Sequence, residues 1–224
     1  MSLWGQLSLV DPATLIQMEM YLFHDHALVL LIGIMIFVSV ISVGMLLSKF
    51  SDRTIHEAQV LETIWTLVPA CLLVWLALPS MRLLYLLDER SDSSMILKAT
   101  GHQWYWSYEL PFLFNESFDS YMIPDRSLDN GQYRLLDVDK RAIVPYNQDI
   151  TVITTSSDVI HAWALPSSGV KMDAIPGRLN SMSMNLISPG VYYGQCSEIC
   201  GANHSFMPIV VEAVSTLDYV SLSS

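Results

Sequence analysis

Apolar positions in this chain follow two patterns, one long and unbroken, the other short and alternating. Residues 27–48, "ALVLLIGIMIFVSVISVGMLLS", run for 22 positions without a charge, and residues 63–81, "TIWTLVPACLLVWLALPSM", for 19 more. As α-helices, both are long enough to cross a hydrocarbon core about 30 Å thick, so two membrane helices are predicted, over about 27–48 and 63–87. Two buried helices of a soluble core are the alternative, and they need a larger globular body around them. Pro69 and Pro79 in the second run are tolerable in a membrane helix. From residue 88 onward the pattern is different. Short β-rich runs, "MILKATGHQWYWSYEL", "YRLLDV", "AIVPYNQDITVITTSS", "VIHAWAL", "SMSMNLISPGVYYGQC" and "MPIVVEAV", alternate with breakers such as "LDNGQ", "PSSG", "IPGR" and "SPG". Many short strands at this spacing predict a β-sandwich or barrel. No helical period of useful length and no βαβ alternation is present there. The expected organisation is therefore an N-terminal segment with a transmembrane hairpin over 1–87 and a β-domain over 88–224.

Composition strengthens the membrane reading. Apolar residues make up 52% of the 224 positions, charged residues 15%, and the mean hydropathy is +0.39; that is too apolar for an ordinary soluble domain. The formal net charge is −11, which argues against nucleic acid as a partner and for a cationic one. Residues 88–224 carry 16 acidic and 8 basic side chains, so most of the excess lies in the β-domain. Between the two apolar runs, "KFSDRTIHEAQVLE" (49–62) carries Lys49 and Arg53, whereas the first 48 residues carry Asp11, Glu19 and Asp25 but no Lys or Arg. The positive-inside rule places that loop inside and both the N-terminus and the β-domain outside. The first twenty residues have neither the basic n-region of a signal peptide nor the Arg-rich character of a transit peptide, so insertion without cleavage is expected.

Candidate chemistry concentrates in "YYGQCSEICGANHSFMPIVVE" (192–212), which holds two of the three cysteines. Cys196, Cys200, His204 and Met207 are separated by three, three and two residues, in a loop between two strand-like runs. Thiolate, imidazole and thioether form a soft ligand set suited to copper. A second imidazole has to come from elsewhere, and His161 in "VIHAWALP" is the candidate. One cysteine serves one copper; two cysteines can each bridge two, and sharing an unpaired electron over both ions keeps reorganisation small, as a one-electron relay needs. Other readings stay open on the residues alone. Cys196 and Cys200 would form a disulfide in an oxidising compartment. Zinc would have little use for Met207. A copper chaperone or thiol reductase would want a thioredoxin-like βαβ pattern, and a membrane-anchored structural module would need no metal. Cys71 reads as a small buried hydrophobe, His24 and His26 as interfacial, and His56 as solvated. Asn115-Glu116-Ser117 and Asn203-His204-Ser205 match a glycosylation pattern too short to carry weight.

Several stretches, "ETIWTLVPA" (62–70), "GHQWYWSYE" (101–109), "VIHAWALPSSGVKMDAIPGRLN" (159–180) and the cysteine loop, closely resemble cytochrome c oxidase subunit II. The likeness covers nearly the whole chain and is weakest in the first twenty residues and around 110–130. It implies a cupredoxin-like Greek-key barrel behind the membrane hairpin, in the style of the mitochondrially encoded animal form. It implies the binuclear copper A centre: Cys196 and Cys200 match the bridging thiolates, His161 and His204 the imidazoles, Met207 and the Glu198 backbone carbonyl the weak axial ligands. The Glu198 carboxylate matches a magnesium ligand shared with subunit I. In a strand, Trp104 and Trp106 would share one face and Tyr105 the other; the resemblance selects Trp104 as the electron-uptake ring. Glu109, Asp119, Asp137, Asp139 and Asp158 look like a docking patch for cytochrome c, and Glu62 is similar to a carboxylate at the mouth of a proton-uptake channel. The expected location is the mitochondrial inner membrane, with the N-terminus and β-domain in the intermembrane space and the loop in the matrix.

Overall fold

Why the β-rich runs become a sandwich is visible in their burial. The computed structural model describes residues 4–54, 56–89, 93, 95–111 and 117–222; Asn115 and Glu116 of the first glycosylation pattern lie outside them. Of the first five strands, β1 (Met95–His102), β2 (Tyr105–Glu109), β3 (Phe118–Ser120), β4 (Ala142–Pro145) and β5 (Ile150–Ser156), the three longest, β1, β2 and β5, alternate buried and more exposed positions. The period of two puts Leu97, Ala99, Trp106, Tyr108, Ile150 and Val152 on the inner face. Strand β6 (His161–Leu165) is buried at every position, as a strand covered on both faces has to be. Strands β7 (Val170–Ala174), β8 (Asn180–Met184), β9 (Gly190–Gln195) and β10 (Pro208–Val214) complete the set.

The strands pair as β3-β2-β1-β5-β8, as β4-β10-β9 and as the hairpin β6-β7. Two of the pairs, β1–β5 and β4–β10, are parallel although their strands are distant in the chain. The connections between these partners therefore cross from one sheet to another instead of turning back as hairpins. Trp106, Trp163, Tyr108 and Leu165 fill the space between the layers with no exposed surface. Truncating one such indole to alanine costs about 3–5 kcal/mol.

Several sequence expectations change here. "YRLLDV" is not a strand: residues 133–136 turn, Leu135 takes a φ of 65°, and Val138 makes only an isolated bridge to Met122. The reason is local, since the Asp137 carboxylate accepts the Tyr133 N–H at 2.6 Å. "AIVPYNQDITVITTSS" divides into β4 and β5 at a turn in which Asn147 has a φ of 56°. A short helix, α3 (Thr216–Leu222), follows β10, with the Ser215 hydroxyl accepting the Asp218 N–H at 3.1 Å and the buried Tyr219 hydroxyl reaching Met95 Sδ at 3.3 Å.

The chain divides into two units, Glu19–Leu87 on the one hand and the N-terminal residues to Met18 with Asp88–Ser224 on the other. The expectation placed all of 1–87 with the hairpin. The N-terminal segment instead joins the β unit: Ala13 N–H donates to Ser167 O (2.7 Å), Ile187 N–H to Ala13 O (3.0 Å) and the Thr14 hydroxyl to Ser168 O (2.7 Å). The other unit consists mainly of α1 (Leu15–Leu47) and α2 (Gln59–Asp88), of 33 and 30 residues, without the first four residues of α1 and the last of α2. At 1.5 Å per residue each exceeds the thickness of a hydrocarbon core. Both helices are long and apolar enough to cross a membrane. His26, expected to be interfacial, lies inside α1 with its ring edge-on to Trp75 at 4.4 Å. Glu62 is exposed in the first turn of α2.

Candidate metal centre

The cysteine loop owes its shape to the hairpin that carries it. Gln195 at the end of β9 pairs with Pro208 at the start of β10, so residues 196–207 form a loop closed at its base. Within it His204 N–H donates to Gly201 O (3.2 Å) and Phe206 N–H to Asn203 O (2.9 Å), forming a short 3-10 turn. One staple decides the rest: Ser197 N–H donates to Ala162 O at 3.1 Å. It ties the residue after Cys196 to the residue after His161 and brings two parts of the chain 35 residues apart to one point. Gly194 is required for this approach, because a Cβ there would lie 2.0 Å from Ala164 O.

The ligand atoms converge. His161 Nδ1 is 3.8 Å from Cys196 Sγ, Cys196 Sγ is 4.0 Å from Cys200 Sγ, and Cys200 Sγ is 3.4 Å from His204 Nδ1 and 3.5 Å from Met207 Sδ. The Glu198 carbonyl oxygen lies 3.4 Å from Cys196 Sγ. His161, Cys196 and Cys200 offer ligand atoms all within 4.8 Å of one another, close enough for one ion at the usual bond lengths of 2.0–2.3 Å. Both cysteines are free thiols, which removes the disulfide reading in this structure. His161 has no exposed surface and Met207 only 1%. The side-chain donor set is soft, and all of it but the partly exposed His204 is buried; it fits copper.

Electrostatics separate the two thiols. Burial raises the Cys196 pKa, but His161 and the backbone groups of Ala162 and Glu198 outweigh it and hold the thiol below its ordinary value. Burial and the neighbouring Cys196 push Cys200 up. Burial lowers the His161 pKa, yet its contacts with Cys196 and Asp158 leave it raised.

The remaining candidate residues are distributed unevenly. Trp104 is not in a strand with Trp106; it lies in the turn before β2, half-buried, while Trp106 is fully buried. The Trp104 indole N–H donates to Cys200 O at 3.2 Å, and Gln103 Nε2 donates to the same oxygen at 2.8 Å. Trp104, Asn203 and Phe206 line an open cleft. Trp106 serves from inside: its N–H donates to Met207 O at 3.3 Å and its ring meets His161 edge-on. Asp119 and Asp139 are exposed. Glu109 is paired with Lys98 at 2.7 Å. Asp137 is 2% exposed and bonded to Tyr133, Tyr193 and Arg141; an internal carboxylate of this kind cannot dock a partner, which corrects its place in the patch. Asp158 bonds to His161 Nε2 at 2.9 Å. Gln103, Trp106 and Gly194 act through contacts across the sandwich, and no local pattern in the sequence marks them.

A Greek-key sandwich with a buried cysteine–histidine–methionine cluster in a hairpin loop, carried with two apolar helices, defines a membrane-anchored cupredoxin. Family models for the cytochrome c oxidase subunit II periplasmic domain and transmembrane domain match residues 95–214 and 2–83. Cytochrome c oxidase subunit 2 of Albinaria caerulea is 65% identical over 99% of both chains, and that of Periplaneta americana 50% identical over 99% of this chain and 97% of its own. The periplasmic domain of subunit II of the Bradyrhizobium japonicum cytochrome oxidase superposes with a TM-score of 0.54 at 48% identity, covering 58% of this chain and 91% of that one. The chain belongs to the cytochrome c oxidase subunit II family, and it is a subunit of an oxygen-reducing oxidase.

Proposed function

We propose that this chain takes electrons from reduced cytochrome c and delivers them to haem a in subunit I, in support of oxygen reduction to water and proton pumping. The observation that carries the reading is the convergence of two thiols, two imidazole Nδ1 atoms and one thioether where the β9–β10 loop meets the start of β6, with the Cys200 carbonyl hydrogen-bonded by Trp104. Cys196 and Cys200 would hold a copper pair between them, His161 and His204 would each present Nδ1, and Met207 Sδ and the Glu198 carbonyl would complete the set weakly. Bound there, copper supplies a one-electron couple. Trp104 stands at the surface with one hydrogen bond between its ring and a ligand residue, a short route for an electron. Asp119 and Asp139 supply negative charge for a basic donor, with Asp158 near them; Glu109 is largely spent on Lys98. The exposed Glu198 carboxylate would take a magnesium ion shared with subunit I, and Glu62 would stand at a proton-uptake mouth. The location in this reading is the mitochondrial inner membrane, with the β-domain in the intermembrane space and the loop before α2 in the matrix.

Copper analysis and EPR of the purified oxidase test the reading. Two coppers in this subunit with hyperfine coupling to both nuclei are expected, and Cys196→Ser abolishes that signal because one sulfur no longer bridges. A normal two-nucleus spectrum in Cys196→Ser would rule out the bridging role.

A further inference from the structure

We propose that Asp158 is a positioning residue of the metal centre, one carboxylate that fixes the His161 imidazole and at the same time seats the turn carrying Trp104. The inference rests on the copper reading above and goes beyond it. Asp158 Oδ1 lies 2.9 Å from His161 Nε2 and also accepts the Val159 N–H at 2.6 Å; its other oxygen, Oδ2, accepts the Gln103 N–H at 2.6 Å. Gln103 immediately precedes Trp104 and reaches the Cys200 carbonyl with its own side chain. A single carboxylate thus bridges the loop before β6, which carries one candidate ligand, and the turn between β1 and β2, which carries the candidate uptake ring.

The chemistry follows from the two ring nitrogens. A neutral imidazole has one N–H and one lone pair. With Nε2–H donating to Asp158, the lone pair is on Nδ1, the nitrogen that faces Cys196. Outer carboxylates of this kind fix the tautomer and orientation of a ligating ring and raise its basicity. Gly101 leaves the space that the ring occupies, since a Cβ there would lie 2.8 Å from His161 Cδ2. His204, in contrast, contacts Cys200 through Nδ1 and has no carboxylate partner among the described residues. The two imidazoles are therefore unequal, and the electron-rich one is His161. Negative charge beside that ring favours the oxidised state of the ion it holds, so neutralising Asp158 raises the reduction potential and redistributes the unpaired electron.

A rim carboxylate that only attracts a cationic donor would do none of this, and that difference is the test. The oxidase is prepared with Asp158→Asn, with Asp158→Glu and, as a matched loss of surface charge, with Asp139→Asn. For each, the EPR hyperfine pattern, the redox titration of the centre and copper loss to a chelator are measured, together with association of reduced cytochrome c across a salt series. Asp158→Asn is expected to shift the potential upward, alter the hyperfine pattern and weaken copper retention about 10- to 100-fold. Asp158→Glu recovers much of this because it restores charge and acceptor. Asp139→Asn changes only the salt series. If Asp158→Asn fails to hold copper while Asp158→Glu holds it, the same role is assigned; if both fail, the carboxylate only folds its loop and the inference is overturned. It is also overturned if Asp158→Asn behaves like Asp139→Asn, with wild-type spectrum and potential. A wild-type centre without coupling to two nuclei would sink the copper reading itself, and the wild-type spectrum separates that failure from a failure confined to Asp158.

Discussion

Cys196 and Cys200, with their sulfurs 4.0 Å apart, cannot ionise independently. Burial opposes both charges; His161 and neighbouring backbone groups bring Cys196 down, and the charge on Cys196 then helps to keep Cys200 up. Without metal, the pair at neutral pH therefore retains protons that a copper pair must displace. Loading is expected to release more than one proton per subunit between pH 6 and 8, and apparent affinity to rise with pH across that window. A pH indicator in weak buffer during reconstitution measures the release, and copper uptake without proton release would contradict the thiol ligands. Steric demands act at the same scale. A methyl group on Gly194 meets the Ala164 carbonyl oxygen at 2.0 Å, a backbone atom that no side-chain rotation can move aside. Gly194→Ala should cost about 3 kcal/mol, the upper end for overpacking. It should lower the thermal unfolding midpoint by several degrees and misplace the staple from Ser197 to Ala162. Unchanged unfolding with a normal copper spectrum would mean that the hairpin adapts freely.

At the scale of elements, the N-terminal segment shows how a short stretch can be a structural part of a distant domain. Thr14 caps α1: its hydroxyl oxygen accepts the Gln17 N–H at 3.0 Å while its proton goes to Ser168 O. Thr14→Ala loses the cap and leaves a buried carbonyl unpaired, at a cost of about 2 kcal/mol. A tenfold change corresponds to 1.4 kcal/mol, so native-state proteolysis of residues 4–14 should speed up by more than tenfold; an unchanged rate would show that the segment is held elsewhere. The Thr14-x-x-Gln17 spacing is the signature of a capping box, legible in the sequence but overlooked beside the stronger apolar run. The two membrane runs and most strands were legible because their periods are long or repeated. "YRLLDV" was misread because its apolar letters imitate a strand, while the deciding interaction is one carboxylate, Asp137, turning back on Tyr133. The cysteine loop was readable because its four candidate ligand residues are local in sequence. His161 was legible as a partner, whereas Asp158 was read as surface charge because only the fold shows that it faces a ring nitrogen.

At the scale of the molecule, the proposed function assigns separable tasks to the net charge of −11 and to the Trp104 turn, and kinetics can divide them. In that proposal charge acts over a distance and on encounter, and a ring beside the cysteine loop acts on transfer after encounter. Asp119→Asn and Asp139→Asn remove exposed charges, so each should slow association of reduced cytochrome c at low salt, as rim charges commonly do. The deficit should vanish toward 1 M salt, where the Debye length is about 3 Å. The buried Asp137 carboxylate, already paired with Arg141, belongs to a different class: Asp137→Asn should leave the salt slope alone and act on stability. Trp104→Phe removes the N–H that reaches Cys200 O but keeps an aromatic surface, so binding should persist while the transfer rate within the bound complex falls at every salt concentration. Stopped-flow oxidation of cytochrome c, analysed as encounter and transfer phases over a salt series, measures all four variants. A Trp104→Phe enzyme that transfers at the wild-type rate once bound would assign Trp104 to packing against Gly201 and the loop, and would move the uptake point to another ring on this acidic face. A Trp104→Phe defect that disappears at high salt would instead make the indole part of the docking surface, with the electron leaving the donor by a route that does not use its hydrogen bond.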